Sequence, residues 1–219
     1  MTRHPVDSPA PRLAAFDVDE TLITIKSMVS FVQFLSKHGH PEIGEQVRTL
    51  RSRHGSDRAG ANRAYYRLFA GWPLQHLDAL GETWFSELHD SPGFWSDVVV
   101  QRLRRDVGDE MTPVIVSGSF HALLDPIAHA LGIHHILCTE QEASIPDGIL
   151  TGNITAQSIG PSKRERLLHF SESIAADLRG SSAYGDDSTD LPMLRLVGTG
   201  YLYQDGNLIG TAARIGDSF

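Results

Sequence analysis

At 219 residues the chain suits one large domain, or a core domain carrying a smaller inserted one. Its 41% hydrophobic and 21% charged fractions are those of an ordinary globular protein, and its net charge of -8 argues against a nucleic-acid partner, which needs clustered Lys and Arg. Met1 to Pro11 lacks the apolar core of a signal peptide and no stretch approaches the ~20 apolar residues of a membrane span, so a cytoplasmic protein with no membrane partner is expected.

Residues 12–16 read as a short buried strand that ends at Asp17. Residues 24–110 are helical in pattern, with apolar faces through Met28, Phe31, Val32 and Leu35 and through Leu77, Leu80, Trp84 and Leu88, near the 3.6-residue period. Ser91-Pro92 predicts a helix start, with Pro in the first turn. Val114-Ile115-Val116 is a β-branched run, as in a strand buried on both faces. The helix that follows carries Phe120, Leu123, Leu124, Ile127 and Leu131 and stops at Gly132. Ile136-Leu137-Cys138 predicts a second short strand, and residues 143–155, centred on Pro146-Asp147-Gly148, a β-hairpin. Ser162-Lys163-Arg164-Glu165 has the capping-box pattern and predicts a helix along Leu167, Phe170, Ile174 and Leu178. Ser182-Ala183-Tyr184 and residues 200–203 complete the strands, with a short helix at about 188–197 between them.

Strands alternating with helices imply an α/β fold on a parallel sheet. The helical block separates the first strand from the second, so it reads as an all-helical cap. The core is then 1–23 and 111–219, and the cap 24–110.

The acidic and polar candidates Asp17, Ser117 and Asp186 all fall at C-terminal ends of predicted strands, the edge where open α/β sheets bind ligands. Asp17 suits a nucleophile. Asp19 would emerge on the same side if the chain stays extended, or swing away if a turn begins there; it is placed for acid–base work. An Asp-Xaa-Asp pair alone is also a common turn former. Ser117-Gly118 joins a strand to a helix, where a hydroxyl and free N–H groups suit a phosphate, although a plain Ser cap has the same sequence. Lys163 lies in a first helical turn, against the helix dipole, which hints at a role beyond solvation. Asp186 and Asp190 sit at a strand-to-helix turn; Asp186 suits a direct metal ligand, and Asp190 could orient a bound water or Lys163. So many carboxylates together call for a hard divalent cation, with Mg2+ expected. Cys138 is the only cysteine, which excludes an intramolecular disulfide, and the 11 histidines show no zinc-ligand spacing.

Asp17-Val18-Asp19-Glu20-Thr21-Leu22, then Ser117, Lys163 and Gly185-Asp186-Asp187-Ser188-Thr189-Asp190, in that order, resemble the four motifs of the haloacid dehalogenase superfamily. The inserted helices and the hairpin before Lys163 are similar to its phosphoserine-phosphatase-like branch. The resemblance implies a Rossmann-like core and Mg2+-dependent phosphoryl transfer through Asp17 on a small phosphorylated metabolite. It also implies a metal set of an Asp17 carboxylate oxygen, the Asp19 backbone carbonyl and Asp186, with Ser117 and Lys163 on the phosphoryl oxygens. A phosphotransferase or mutase, or a non-catalytic binding protein on the same fold, are the alternatives. Where phosphoserine phosphatases carry a glutamate for the substrate's ammonium, this chain has Lys26, the wrong sign for that group. Arg63 and Arg67, near Tyr65 and Tyr66, are further candidates for an anionic substrate. A homo-oligomer is compatible with the sequence and leaves no mark in it.

Overall fold

The computed structural model describes residues 9–55 and 57–211. Most of the segment read for a signal peptide, residues 1–8, lies outside that range. In chain order the elements are β1 (Arg12–Phe16), α1 (Ser27–Lys37), α2 (Pro41–His54), α3 (Arg58–Tyr66) with a 3-10 turn (Arg67–Phe69), α4 (Leu74–Leu88) and α5 (Asp97–Gly108). Then come β2 (Met111–Val116), α6 (His121–Leu131), β3 (His135–Leu137), β4 (Glu140–Ala143), β5 (Leu150–Ala156), α7 (Pro161–Ser173), β6 (Ser182–Gly185), α8 (Leu191–Leu194), β7 (Thr199–Gln204) and β8 (Asn207–Thr211).

Six strands form one sheet in the order β3-β2-β1-β6-β7-β8, parallel except for the last pair. Alternate side chains of the central strands enter separate cores. Ala14, Phe16, Ile115 and Tyr184 join the core that includes Val99 of α5 and Leu123 of α6. Leu13, Ala15, Val114, Val116 and Ala183 join Leu167 of α7 and Met193 of α8 on the other face. Burial on both faces is why these strands are continuous apolar runs. β1 lies between β2 and β6, so the strand order reverses beside it, at the switch point where such sheets bind ligands. The register pairs Phe16 with both Ile115 and Tyr184, which brings Asp17, Ser117 and Asp186 to one edge.

Several details depart from the pattern reading. Ser91-Pro92 starts no helix: Phe94 N–H bonds back to the Ser91 carbonyl at 3.1 Å, with Gly93 at φ +79°, a Pro-Gly turn, and the helix begins at Asp97. Ser162 does not cap α7, because the helix starts at Pro161 in the first-turn position with Gly160 before it. β8 follows β7 through Asp205-Gly206, both at positive φ, the two-residue turn that suits a twisted hairpin. The hairpin expected at 143–155 is present as β4–β5, a separate two-stranded sheet. It bonds to the 71–74 segment through Gly71 N–H to Leu150 O and Leu74 N–H to Gly148 O, each 2.8 Å. Helix α5 packs on β1, β2 and β8 of the large sheet, while α4 packs on α6.

Candidate active site

Among the described residues, six carboxylates and three cationic side chains line a cavity of about 160 Å³ at the carboxyl edge of β1, β2 and β6. That imbalance decides what the site can hold.

Asp17 follows β1 directly, its N–H bonded to the Tyr184 carbonyl at 2.9 Å, and only 5% of the residue is exposed. Lys163, in the first turn of α7, is 3% exposed and reaches across to Asp17 Oδ1 at 2.5 Å and Asp190 Oδ1 at 2.6 Å. The other oxygen of Asp190 accepts the N–H groups of Asp186 at 3.2 Å and Asp187 at 3.1 Å. Both Asp190 oxygens are thus committed within the protein. Of the two partners the sequence left open for Asp190, Lys163 is in contact, and Asp190 also stands with Asp17 and Asp186 as a carboxylate group that could hold a metal.

A turn begins at Val18, whose carbonyl accepts from Thr21 and Ile23, yet Asp19 stays in the cavity. Its Oδ1 accepts the Ser27 N–H at 2.9 Å, at the first residue of α1. Thr21 Oγ1 donates to Asp186 Oδ1 at 3.3 Å. Carboxylate oxygens of Asp17, Asp186 and Asp190 lie within 4.8 Å of one another.

Opposite them, Ser117, Gly118 and Ser119 form the loop between β2 and α6. Ser117 is buried, its hydroxyl accepts the Ser119 N–H at 3.2 Å, and Ser119 Oγ accepts from Ser27 Oγ at 3.0 Å. The Gly118 carbonyl accepts from Asn62 Nδ2 at 2.9 Å, Tyr66 OH at 2.9 Å and Thr139 Oγ1 at 3.1 Å. Three donors on one carbonyl fix that peptide plane, and two of them come from α3.

Residues 14–195 match the haloacid dehalogenase-like hydrolase family. The chain belongs to this family. It is 29% identical over 197 residues to an "Inhibition of morphological differentiation protein" of Streptomyces azureus, covering 86% of this chain and 70% of that one. It is 27% identical over 220 residues to a phosphoserine phosphatase of Mycobacterium tuberculosis, covering 89% and 70%. Among solved structures, a Bordetella pertussis Tohama I protein of unknown function superposes with a TM-score of 0.77 at 24% identity, covering 88% of this chain and 90% of that one.

In this haloacid dehalogenase-like hydrolase, electrostatics follow burial. Desolvation drives Asp17 well above the usual carboxylate range; Lys163 pulls it back, while Asp190 and Asp19 push the same way as burial. Burial raises Asp19 too, against the Ser27 hydrogen bonds. Asp186 is pushed up to about 6 by burial and by Asp190, Glu20 and Asp187. Lys163 is held protonated by its two carboxylates although burial opposes the charge. One buried cation among these acids leaves an excess of negative charge and an all-oxygen donor set, which fits Mg2+ and not a thiolate-preferring ion.

The basic candidates divide. Lys26 lines the cavity at the start of α1 and pairs with Glu20 Oε2 at 2.9 Å, half exposed. Arg63 and Arg67 do not line it: both are exposed, and Arg63 Nη1 instead donates to Gln157 Oε1 at 3.1 Å. Tyr65, Tyr66 and Phe69 are buried among Phe31 and Phe120, filling the core. The residues from this region that reach the cavity are Arg58, paired with Asp187 Oδ1 at 2.6 Å, and Asn62. Helical period could have flagged both: Asn62 lies one turn from Arg58 on the same face, whereas Arg63 is five residues on.

Proposed function

We propose that the chain is a Mg2+-dependent phosphatase that hydrolyses a phosphomonoester of a small metabolite through a phosphoryl-aspartate at Asp17. The observation that carries this reading is a buried carboxylate at the switch point of the sheet, bridged by Lys163 to a second acid and facing the 117–119 loop. The family of hydrolases to which the chain belongs and the phosphatase among its relatives support it.

Asp17 attacks phosphorus, and the bond to the leaving oxygen breaks. Asp19, inclined by burial to keep a proton, gives it to that oxygen. Water then attacks the phosphoryl-aspartate, Asp19 takes the water proton back, and the Asp17 carboxylate is restored as phosphate leaves. Lys163 and Ser117 hold the phosphoryl oxygens, and Asp190 keeps Lys163 aimed. Asp17, Asp186 and, by family resemblance, the Asp19 carbonyl would hold Mg2+, which neutralises charge between carboxylates and phosphate.

Specificity resides in the inserted helices, through Lys26, Arg58 and Asn62. These groups suit an anionic or polyhydroxylated leaving group, and with Lys26 in place phosphoserine is a poor substrate. A phosphate-release screen over sugar phosphates, nucleotides, phosphorylated amino acids and phospholipid head-group esters tests the reading. Inorganic phosphate equal to the alcohol formed supports a hydrolase; transfer to a second alcohol makes it a phosphotransferase. No release from any ester, p-nitrophenyl phosphate included, refutes both.

A further inference from the structure

Away from the catalytic carboxylates, three side chains of different chemistry converge from separate segments. His121 opens α6, Cys138 follows β3, and Glu140 opens β4. His121 Nε2 is 3.4 Å from Glu140 Oε2, and Cys138 Sγ is 3.9 Å from Glu140 Oε1. One ligand atom from each lies within 4.8 Å of the other two. Metal–ligand bonds of the usual lengths around tetrahedral zinc separate neighbouring ligand atoms by about 3.3–3.6 Å, so small side-chain movements suffice to close on one ion.

The surrounding contacts orient two of these ligands. Asp125 Oδ1 lies 2.7 Å from His121 Nδ1, an arrangement that sets the ring proton on Nδ1 and turns Nε2 toward Glu140 and Cys138. A carboxylate behind the non-ligating nitrogen is the usual support of a metal-bound histidine. Arg166 Nη2 donates to Glu140 Oε1 at 2.9 Å, which occupies one carboxylate oxygen and leaves Oε2 on the His121 side. Cys138 is fully buried, while the His121 and Glu140 side chains are partly open.

We propose that His121, Cys138 and Glu140 form a second metal site, for zinc, independent of the catalytic carboxylates. Binding displaces the thiol proton of Cys138 and any proton on His121 Nε2, so affinity rises with pH. Asp125, Cys138 and Glu140 favour a proton on His121, against burial, and that proton competes with the metal; Asp78 of α4 and Arg166 are the other charged groups nearby. Thr139, between two of the ligands, donates its N–H to the Ser119 carbonyl and its hydroxyl to Gly118, so an ion here braces the loop that faces the catalytic cavity.

The test is a Co2+ titration of the full chain with saturating Mg2+ present, read by the thiolate-to-cobalt charge-transfer band in the near ultraviolet. The catalytic cavity has no thiolate, so cobalt there gives no such band. The expected result is a band that saturates at a single equivalent, is erased by Zn2+, and disappears in Cys138→Ser. Because Cys138 is buried, His121→Ala is the second variant; its side chain is half open, and it should weaken cobalt binding by about tenfold or more. Absence of the band in the wild-type protein, or equal affinity in His121→Ala, overturns the proposal.

Discussion

Replacing Lys163 by Met keeps much of the side chain's volume and removes the cation that bridges Asp17 and Asp190. Both contacts, at 2.5 and 2.6 Å, are buried, so neither carboxylate can recover its lost partner from water. Removing one partner from a buried ion pair destabilises by about 3–5 kcal/mol. The metal-free variant should lose that much at neutral pH. The deficit should shrink with acid. Burial already raises Asp17, and without Lys163 it rises further, so the folded variant binds a proton that the unfolded chain releases near pH ~3.9. A carboxyl whose folded pKa is raised loses stability as pH climbs from the unfolded value toward the folded one. Urea unfolding of both proteins in chelator, over a pH series, reads the difference directly. Turnover with Mg2+ should fall by about 10^2–10^3-fold, the usual loss of one preorganised charged donor. A neutral-pH difference under about 1 kcal/mol, the range of a solvated pair, with wild-type turnover, would refute the reasoning.

Asp19→Asn should slow alkyl phosphate hydrolysis by about 10^2–10^4-fold and p-nitrophenyl phosphate hydrolysis much less, because that leaving group needs little protonation; equal losses would contradict the acid role. In the metal-free protein Asp186, raised to about 6, binds a proton that the unfolded chain loses near ~3.9, so stability declines as pH rises between these values. The gain in Tm on adding Mg2+ should therefore grow over that window and then level off, as thermal melts with and without the metal will show. Lys26→Glu should lower kcat/KM for the natural substrate and affect p-nitrophenyl phosphate much less, since Lys26 is half exposed and pairs with Glu20, whereas Lys163 bonds Asp17 and Asp190. A screen in which phosphoserine proves the best wild-type substrate would overturn the reading of Lys26.

Where local chemistry and tertiary structure agree, the sequence was legible. β1, β2 and β6 are runs buried on both faces, and residues after such runs must emerge at one edge, so Asp17, Ser117 and Asp186 could be grouped before any coordinates. Helix starts were less legible, because Ser162 and Ser91 match capping patterns that Pro161 and the Pro92-Gly93 turn override. β8 was missed although Asp205-Gly206 announces its hairpin. The cap was the hardest part. Arg63 and Arg67 beside Tyr65 and Tyr66 suggested a grip on an anionic substrate, but Tyr65, Tyr66 and Phe69 close a core, and Arg58 reaches the cavity where Arg63 and Arg67 do not. The convergence of His121, Cys138 and Glu140 depends on the β3–β4 path and shows no spacing motif along the chain.

In the proposed reaction Asp17 carries the phosphoryl group. Acid-quenching the enzyme during turnover and reducing the trapped acyl phosphate with borohydride converts a phosphorylated aspartate to homoserine, which peptide mass spectrometry locates. The mark is expected at position 17, dependent on Mg2+ and absent from Asp17→Asn. Continued phosphate release with position 17 unmarked, or with the mark on another residue, would contradict it.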